Sequence, residues 1–530
     1  MNYVGTARPI HDAKGKATGY TKYAGDLSLP NMAYLCMLHS KIPHGYVKAV
    51  HAEKALALPG VYGVYHCLNT TDRKYSHYRA NFDMNVADEE RVFNNYVRFI
   101  GDKIGAVAAC DQETAERAAC LVEVEYEELP FSIGFDDTLA GKNCLDGETP
   151  VRDEYELDVG EKQGSTEGLI EVCSTMELPR LHHATMETHA CIADYDPYSD
   201  MLTVYCPNQA VHGIRTVLAD FLEMPESHVR VVKATMGGSF GAKQEWFLEP
   251  VTALVAKKLC RPVKLVYSRG EAMTDTIVRG AMRMSARGYY TPDGEMKEIY
   301  CDVTLDAGAY IGNAGDYVRA LAGKPTRCYR IPYMHYHGQV ISSNSPVSGA
   351  FRSWSAAEEA LMMERQLDAA AEKLGMDRLA IRLKNVARSG EEDKKLHLSL
   401  EDIRIGDAIT LGSEKFGWDK LKAEDAAFNA SQQRYRRGVG IGIGGHGNTY
   451  FPRFNDYGEG SISLNADGSM QANFTLHDHG CGTVTAMRMI AAEVLKVPED
   501  KIYMTEGDTA VTPIDYGCFA SRTTYVVGRA

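Results

Sequence analysis

The sequence predicts a multidomain protein of mixed α+β and α/β class, and three observations support this. The chain has 530 residues, more than one hydrophobic core usually organises. A helix–proline–strand unit occurs twice: Asn208-Gln209-Ala210 opens a helix ending at Leu222-Glu223-Met224-Pro225-Glu226 before a strand Val229–Val232. Gly480-Cys481-Gly482 opens another, ending at Leu495-Lys496-Val497-Pro498-Glu499 before a strand at Ile502. Between the first of these strands and a helix-like run beginning near Glu245 lies the turn Met236-Gly237-Gly238-Ser239-Phe240-Gly241-Ala242-Lys243-Gln244. Either two related lobes aim their helix N-termini at one place, or two common αβ units coincide.

Taken in order, residues 1–135 mix short β-like runs with a helical stretch, Gln112–Val122, as an α/β domain. Over 136–165 Gly, Asp, Glu and Lys accumulate, which predicts a linker. A second α/β region spans 166–395. Within it Ser355 and Glu358 have capping-box spacing, ahead of a helix with Ala360, Met363, Leu367, Ala370 and Leu374 on one face and Gly375 at its end. Residues 396–436 form a charged connecting segment, and 437–530 begin with Gly438-Val439-Gly440-Ile441-Gly442-Ile443-Gly444-Gly445, a glycine-rich strand.

Composition narrows the function classes. A net charge of −14 disfavours nucleic acid as a partner. No apolar run is long enough to span a bilayer, and the N-terminus lacks an apolar h-region, so a soluble cytoplasmic protein is expected. Thirteen cysteines lie singly, with no C-x-x-C pair or cluster-ligating run. They are expected to be buried free thiols in a reducing compartment. With no dinucleotide fingerprint either, any electron-transfer partner belongs to another subunit.

The turn at 236–244 has the composition of an anion or cofactor site, because glycine accepts positive φ and lets a bound group approach the backbone. Lys243 is followed by Gln244 rather than Ser or Thr, which disfavours a nucleotide triphosphate. In Gly349-Ala350-Phe351-Arg352-Ser353-Trp354 an arginine and aromatics approach a helix N-terminus. They either hold a planar substrate or bury an aromatic beside an arginine satisfied by carbonyls. His477-Asp478-His479 admits a metal only as a minority reading, since further ligands are missing.

Together Gly237–Lys243, Ala350-Phe351-Arg352 and Phe519-Ala520-Ser521-Arg522-Thr523-Thr524-Tyr525 resemble the large, molybdenum-binding subunit of the xanthine dehydrogenase and aldehyde oxidase family. Asp12–Tyr20 and Pro43-His44-Gly45-Tyr46 resemble that subunit's opening, and the resemblance runs through essentially the whole chain in order. It implies an N-terminal hammerhead α/β domain followed by two pseudo-repeated molybdopterin-binding lobes, the second incomplete. It also implies a hydroxylase whose molybdenum is held by the dithiolene of a molybdopterin dinucleotide, with no ligand from the protein. Oxygen from water enters an electron-poor carbon, and electrons leave through separate [2Fe-2S] and FAD subunits. A purine such as xanthine or hypoxanthine is the leading substrate, with nicotinate or an aldehyde as alternatives. A non-catalytic cofactor- or partner-binding scaffold is the reading from another class.

By the same resemblance Gln209 contacts a metal oxo ligand, and Gly238, Phe240 and Gly241 form the loop beside the metal. Gln244 and Trp354 meet substrate, Trp354 standing where phenylalanine is usual. Arg319 stabilises negative charge developing on substrate. Arg352, Gly480, Cys481, Ser521 and Thr523 hold the cofactor. Two departures stand out. Cys481 replaces the family's cofactor-contacting glutamine. The family's catalytic glutamate follows the Ala-Ser-Arg segment in a Gly-Glu-Pro setting, which this sequence lacks. Another chain then supplies that base, or the chain is a truncated product or an inactive remnant.

Overall fold

The computed structural model describes residues 3–78, 88–145, 149–162, 164–431, 434–448 and 455–530. Strands β1 (Ala33–His39), β2 (Val61–His66) and β3 (Lys103–Ala109) pair antiparallel in the order β1-β3-β2. β3 takes the centre because all seven of its residues are buried. The helix Gln112–Ala119 packs beside them, N-capped by Asp111, whose carboxylate accepts the Thr114 N–H at 2.7 Å.

This N-terminal unit shares a sheet with the first lobe. That lobe comprises β4 (Val151–Gly160), β5 (Ile170–Leu178), β6 (Ala190–Asp196), β7 (Met201–Cys206), α1 (Val211–Leu222), β8 (Val229–Lys233), α2 (Glu249–Leu259) and β9 (Val263–Val266). It continues through β10 (Ala281–Tyr290), β11 (Met296–Gly308), α3 (Ala314–Leu321), β12 (Tyr333–Ser342) and α4 (Ala356–Leu374). A seven-stranded sheet runs β8-β7-β6-β9-β1-β3-β2, joined across the expected boundary by parallel pairing of Ala33 to Leu35 with Val263 to Leu265. One core cluster accordingly contains both Leu35 and Val251.

The second sheet has the order β5-β10-β11-β12-β4. The stretch expected to be a linker therefore contains a ten-residue edge strand, β4. Its Glu154, Glu156 and Asp158 are exposed while Tyr155, Leu157 and Val159 face inward. The charge that reads as a linker is the solvent face of an edge.

α4 ends on a left-handed Gly375 as expected, but Ser355 and Glu358 do not form a capping box. Ser355 has φ 64°, its Oγ accepts from Lys324 Nζ at 2.6 Å, and Glu358 pairs with Arg279 instead. The glycine-rich run also differs from expectation. Residues 434–448 form no strand; Ile441 and Ile443 pack on the second core, and Gly442 and Gly444 lie along α4. A Gly–Ile alternation fits a thin chain against a helix as well as it fits a sheet.

The second lobe holds β13 (Gly460–Leu464), β14 (Met470–Phe474), α5 (Thr483–Leu495), β15 (Ile502–Thr505) and α6 (Thr523–Arg529). Both copies of the repeated unit fold alike. Glu223 and Lys496 end α1 and α5 in the left-handed region, at φ 54° and 60°. Pro225 and Pro498 each open a 3₁₀ turn at φ −59°. The following strand pairs parallel with the one before the helix, β8 with β7 and β15 with β14. The lobes meet where Arg230 grips Asp508 at 3.0 and 2.6 Å and Lys233 N–H donates to Gly507 O at 2.8 Å.

Among the described residues no helix is long and apolar enough to cross a membrane. All thirteen cysteines are free, but five of them (Cys110, Cys120, Cys173, Cys260 and Cys481) are exposed rather than buried.

Candidate active site

Five loops from both lobes converge. Gln209, buried just before α1, is the junction: its amide accepts from Ser239 Oγ of the glycine turn and donates to Cys518 O of the closing segment. Its backbone repeats the link, with N–H donating to Lys243 O at 2.8 Å and C=O accepting from Cys518 N–H at 2.9 Å. The glycine turn is tied to the arginine turn by Arg352 N–H donating to Phe240 O at 2.8 Å. The turn before α5 reaches the closing segment through His479 Nε2, 3.7 Å from Cys518 Sγ.

Backbone strain gathers here. Phe240 (φ 55°), Ser353 (φ 82°), Ser355 (φ 64°), Ala520 (φ 51°) and Ser521 (φ 51°) are non-glycine residues in the left-handed region. Such conformations cost of order 1–3 kcal/mol each and persist where the surroundings over-determine them. Phe240 is also 48% exposed, an unusual position for a phenylalanine on a tight turn.

Buried polar groups fix the turns. Glu187 accepts from Gly237 N–H at 2.7 Å and from Lys243 Nζ at 2.6 Å, so Lys243 is neutralised inside the protein. His189 Nε2 donates to Ala242 O at 2.9 Å and His183 Nε2 to Ala350 O at 2.8 Å. The His183 ring also stacks on Phe351, 4.2 Å between centroids. Glu245 accepts from Ala350 N–H at 3.1 Å and Asn313 at 3.3 Å, and lies 3.2 Å from His77 Nε2. Burial pushes its carboxyl up to about 7, against the opposing pull of His77.

Because a carbonyl only accepts, His183 and His189 must each carry the Nε2 proton, leaving Nδ1 buried without a partner. Charging either ring would bury an unpaired donor, and desolvation lowers the two pKa values to about 3 and about 4. Below the ordinary value of 6.5 the unfolded chain binds protons that the folded chain refuses. The stabilisation is complete above that pH and is lost as pH falls toward 4. We expect urea-unfolding free energy to drop steeply over this window, and His183→Gln/His189→Gln to flatten the slope. An unaltered slope would remove these rings from the account.

The structure brings most of the sequence-derived residues together. Gln209, Gly238, Phe240, Gly241, Arg352, Gly480, Cys481, Ser521 and Thr523 all lie on the converging loops. Gln244 closes the glycine turn, its N–H donating to Gly241 O at 3.2 Å. Trp354 meets Tyr317 of α3 edge-on at 5.6 Å, and Lys324 holds its carbonyl. Thr523 Oγ1 lies 2.9 Å from Cys518 Sγ, and Cys481 Sγ lies 2.8 Å from Thr483 Oγ1.

Arg319 stands apart from this group. Two residues beyond Tyr317 on α3, it points to the helix's other side, since each residue turns about 100°. There it makes a bidentate pair with Asp153, 2.8 Å in both arms. Asp478 accepts from the N–H groups of Gly480, Gly482 and Val484 at 2.8, 3.3 and 3.3 Å. Among the described residues no group of three His, Cys, Asp or Glu could hold a metal. Sequence reasoning missed Glu187, His183 and His189. Their one local signal is the histidine density of Leu181-His182-His183 and Glu187-Thr188-His189.

A glycine turn with a strained aromatic in the first lobe, and a helix N-terminus from each of the two lobes, make a cradle of the kind that holds an anionic cofactor. Residues 152–386 and 411–530 each match the molybdopterin cofactor-binding domain, and 18–130 match the aldehyde oxidase and xanthine dehydrogenase a/b hammerhead domain. The chain is 30% identical over 534 residues to the xanthine dehydrogenase molybdenum-binding subunit of Escherichia coli O157:H7, covering 98% of this chain and 70% of that one. It is 32% identical over 540 residues to a probable xanthine dehydrogenase subunit of Bacillus subtilis (strain 168), covering 100% of this chain and 69% of that one. The aldehyde oxidoreductase from Desulfovibrio gigas has the same fold, with a TM-score of 0.88 and 26% identity over 99% of this chain and 58% of that chain.

The chain therefore belongs to the family of molybdenum-dependent oxidoreductases that contains the xanthine dehydrogenases and aldehyde oxidoreductases, and its cofactor is molybdenum–molybdopterin. The loops fit that group. Gly480 has open space where a Cβ would stand, a Cβ on Gly241 would meet Ala350 O at 2.6 Å, and Phe240 beside it is exposed.

Proposed function

We propose that this chain is the molybdenum-binding part of a xanthine dehydrogenase-like hydroxylase that acts on an N-heterocycle in the cytoplasm. The observation that supports it most is Gln209, whose one amide clasps the glycine turn of the first lobe and the closing segment of the second. In this reading the cofactor supplies the redox chemistry, placing oxygen from water on an electron-poor ring carbon. Gly238, Phe240, Gly241 and Gln209 would hold the metal-bearing end of the cofactor. Gly480, Cys481, Ser521, Thr523 and Arg352 would hold the molybdopterin. Gln244 and Trp354 face the substrate ring, the amide both donating to and accepting from its edge.

The resemblance assigns Arg319 to the substrate, and to reach it the side chain must leave Asp153 and swing round from the far side of α3. Its half-exposed guanidinium would then face the charge that grows on the ring. Electrons pass to separate [2Fe-2S] and FAD subunits. Metal analysis of the purified assembly, with turnover assayed on purines, nicotinate and aldehydes, tests the reading. We expect molybdenum and a purine preference, and Arg319→Met to lower kcat/KM about 100-fold. An assembly without molybdenum overturns the proposal.

A further inference from the structure

The hammerhead domain sends one side chain into the place where the substrate-side elements meet. His77 is 1% exposed, and its ring lies between two buried carboxylates. Nδ1 bonds Glu90 Oε1 of the same domain, and Nε2 lies 3.2 Å from the Oε2 of Glu245, the neighbour of Gln244. Among the described residues neither Nε2 nor Glu245 Oε2 has a hydrogen bond elsewhere. The ring stacks on Phe247 at 5.2 Å between centroids, and Trp246 Nε1 donates to Ser76 O at 2.8 Å. The stretches 76–77 and 245–247 are thereby locked together.

Three elements converge on that contact. Glu245 Oε1 receives Ala350 N–H of the arginine turn and the Asn313 amide at the head of α3. The ring also lies against Gly312, where a Cβ would stand 2.7 Å from Nε2. Glu89, beside Glu90, accepts from Ile311 N–H at 2.9 Å. α3 in turn carries Tyr317, whose ring meets Trp354 edge-on. One histidine from another domain thus touches, or holds through Glu245, each backbone segment that places Gln244 and Trp354.

A neutral imidazole donates through one nitrogen and presents a lone pair at the other. Between two carboxylates the ring is satisfied only when a proton lies in each gap, one toward Glu90 and one between Nε2 and Glu245 Oε2. Desolvation opposes charge on this ring, but Glu90 and Glu245 outweigh it and raise its pKa, with Lys103 pulling the other way. Lys103 is itself paired with Asp275 at 3.1 Å. We propose that His77 is a positioning residue for the reaction centre. The protonated bridge Glu90–His77–Glu245 sets the spacing of the glycine turn, the arginine turn and α3, and so the slot between Gln244 and Trp354. That this slot receives a heterocycle rests on the function proposed above, whereas the bridge rests on the contacts of His77 alone.

The test uses the full chain and reads hydrogen exchange by mass spectrometry. His77→Gln leaves Glu245 without its bridge, and exchange over 241–245, 311–313 and 349–352 should quicken together by about tenfold, the loss of one charge-assisted hydrogen bond. The helix 112–119 and strand β10 should keep their wild-type rates. Adding Glu245→Gln should restore most of the protection, because the amide at 77 then donates to Glu90 and accepts from the amide at 245. A role in packing alone predicts no such rescue. Unmoved exchange at 311–313 and 349–352 in His77→Gln, or a double variant no better protected than the single one, overturns the proposal. Should His77→Gln fail to fold, Glu245→Gln alone keeps an acceptor for Ala350 N–H and should quicken the same segments; unchanged exchange there is equally fatal. In the molybdenum-loaded assembly, His77→Gln should raise KM for the heterocycle roughly tenfold at unchanged molybdenum content. An unaltered KM beside quickened exchange would confine the bridge to stability and end its positioning role. A wild-type assembly that turns over no heterocycle defeats the substrate reading, while exchange still decides the bridge.

Discussion

Replacing Arg522 with methionine is expected to destabilise the protein by ~3–5 kcal/mol, the usual cost of breaking a buried ion pair from one side. Arg522 is 1% exposed and spends all its donors on protein acceptors. Nη1 donates to both oxygens of Asp515 at 2.7 and 2.8 Å and to Gly517 O at 3.1 Å. Nε and Nη2 bind Asp456 at 2.7–3.0 Å, and Nη2 reaches Tyr457 O at 2.6 Å. Methionine fills similar volume but leaves two carboxylates buried without a cation. The closing segment that clasps Gln209 loses its anchor, so hydrogen exchange over 515–523 should quicken along with the fall in unfolding free energy.

The sign of the pH response separates lost charge from lost packing. Burial already raises the Asp515 pKa against the pull of Arg522. Without the cation, the folded state binds protons that the unfolded state has released, so the deficit should be largest near neutral pH and shrink as pH falls toward 5. Adding Asp456→Asn and Asp515→Asn should recover part of the loss, because these sites share one network. A deficit of under 1 kcal/mol that ignores pH would mean the network contributes little.

Local chemistry was legible in the sequence. The helix–proline–strand unit appears twice because proline ends one element and starts the next at both Pro225 and Pro498, and the structure repeats even the left-handed cap before each. The glycine turn and the Gly375 stop of α4 were readable for the same reason. Features that depend on distant partners were hidden. Ser355 and Glu358 have the spacing of a capping box, but Lys324 and Arg279, remote in sequence, take both side chains. β4 reads as a linker until β12 pairs with it. His183, His189 and Glu187 serve the site through carbonyls and an N–H some 50 to 167 residues away, and no sequence pattern encodes that. Arg319 shows the converse: the resemblance assigns it to the substrate, while its side chain is committed to Asp153.

Alanine at Gly241 should cost the protein much more than alanine at Gly480, although both glycines have φ 103°. At that angle a Cβ is strained at either position, by roughly 1–3 kcal/mol. The surroundings then separate them. A Cβ on Gly480 would meet nothing within 4 Å, whereas one on Gly241 would lie 2.6 Å from Ala350 O and 3.1 Å from Phe351 Cα. Both obstacles are backbone, held by Glu245 and His183 through Ala350 N–H and O, so the clash cannot be relieved by turning a side chain. Overpacking of this kind adds ~1–3 kcal/mol. It would also part the glycine turn from the arginine turn, stretching the Arg352–Phe240 hydrogen bond that spans them. Gly241→Ala should therefore lose both stability and molybdenum content, while Gly480→Ala loses stability modestly. Because the backbone strain is common to both variants, their difference measures the contact between the two turns, and equal denaturation midpoints would show that the contact yields without cost.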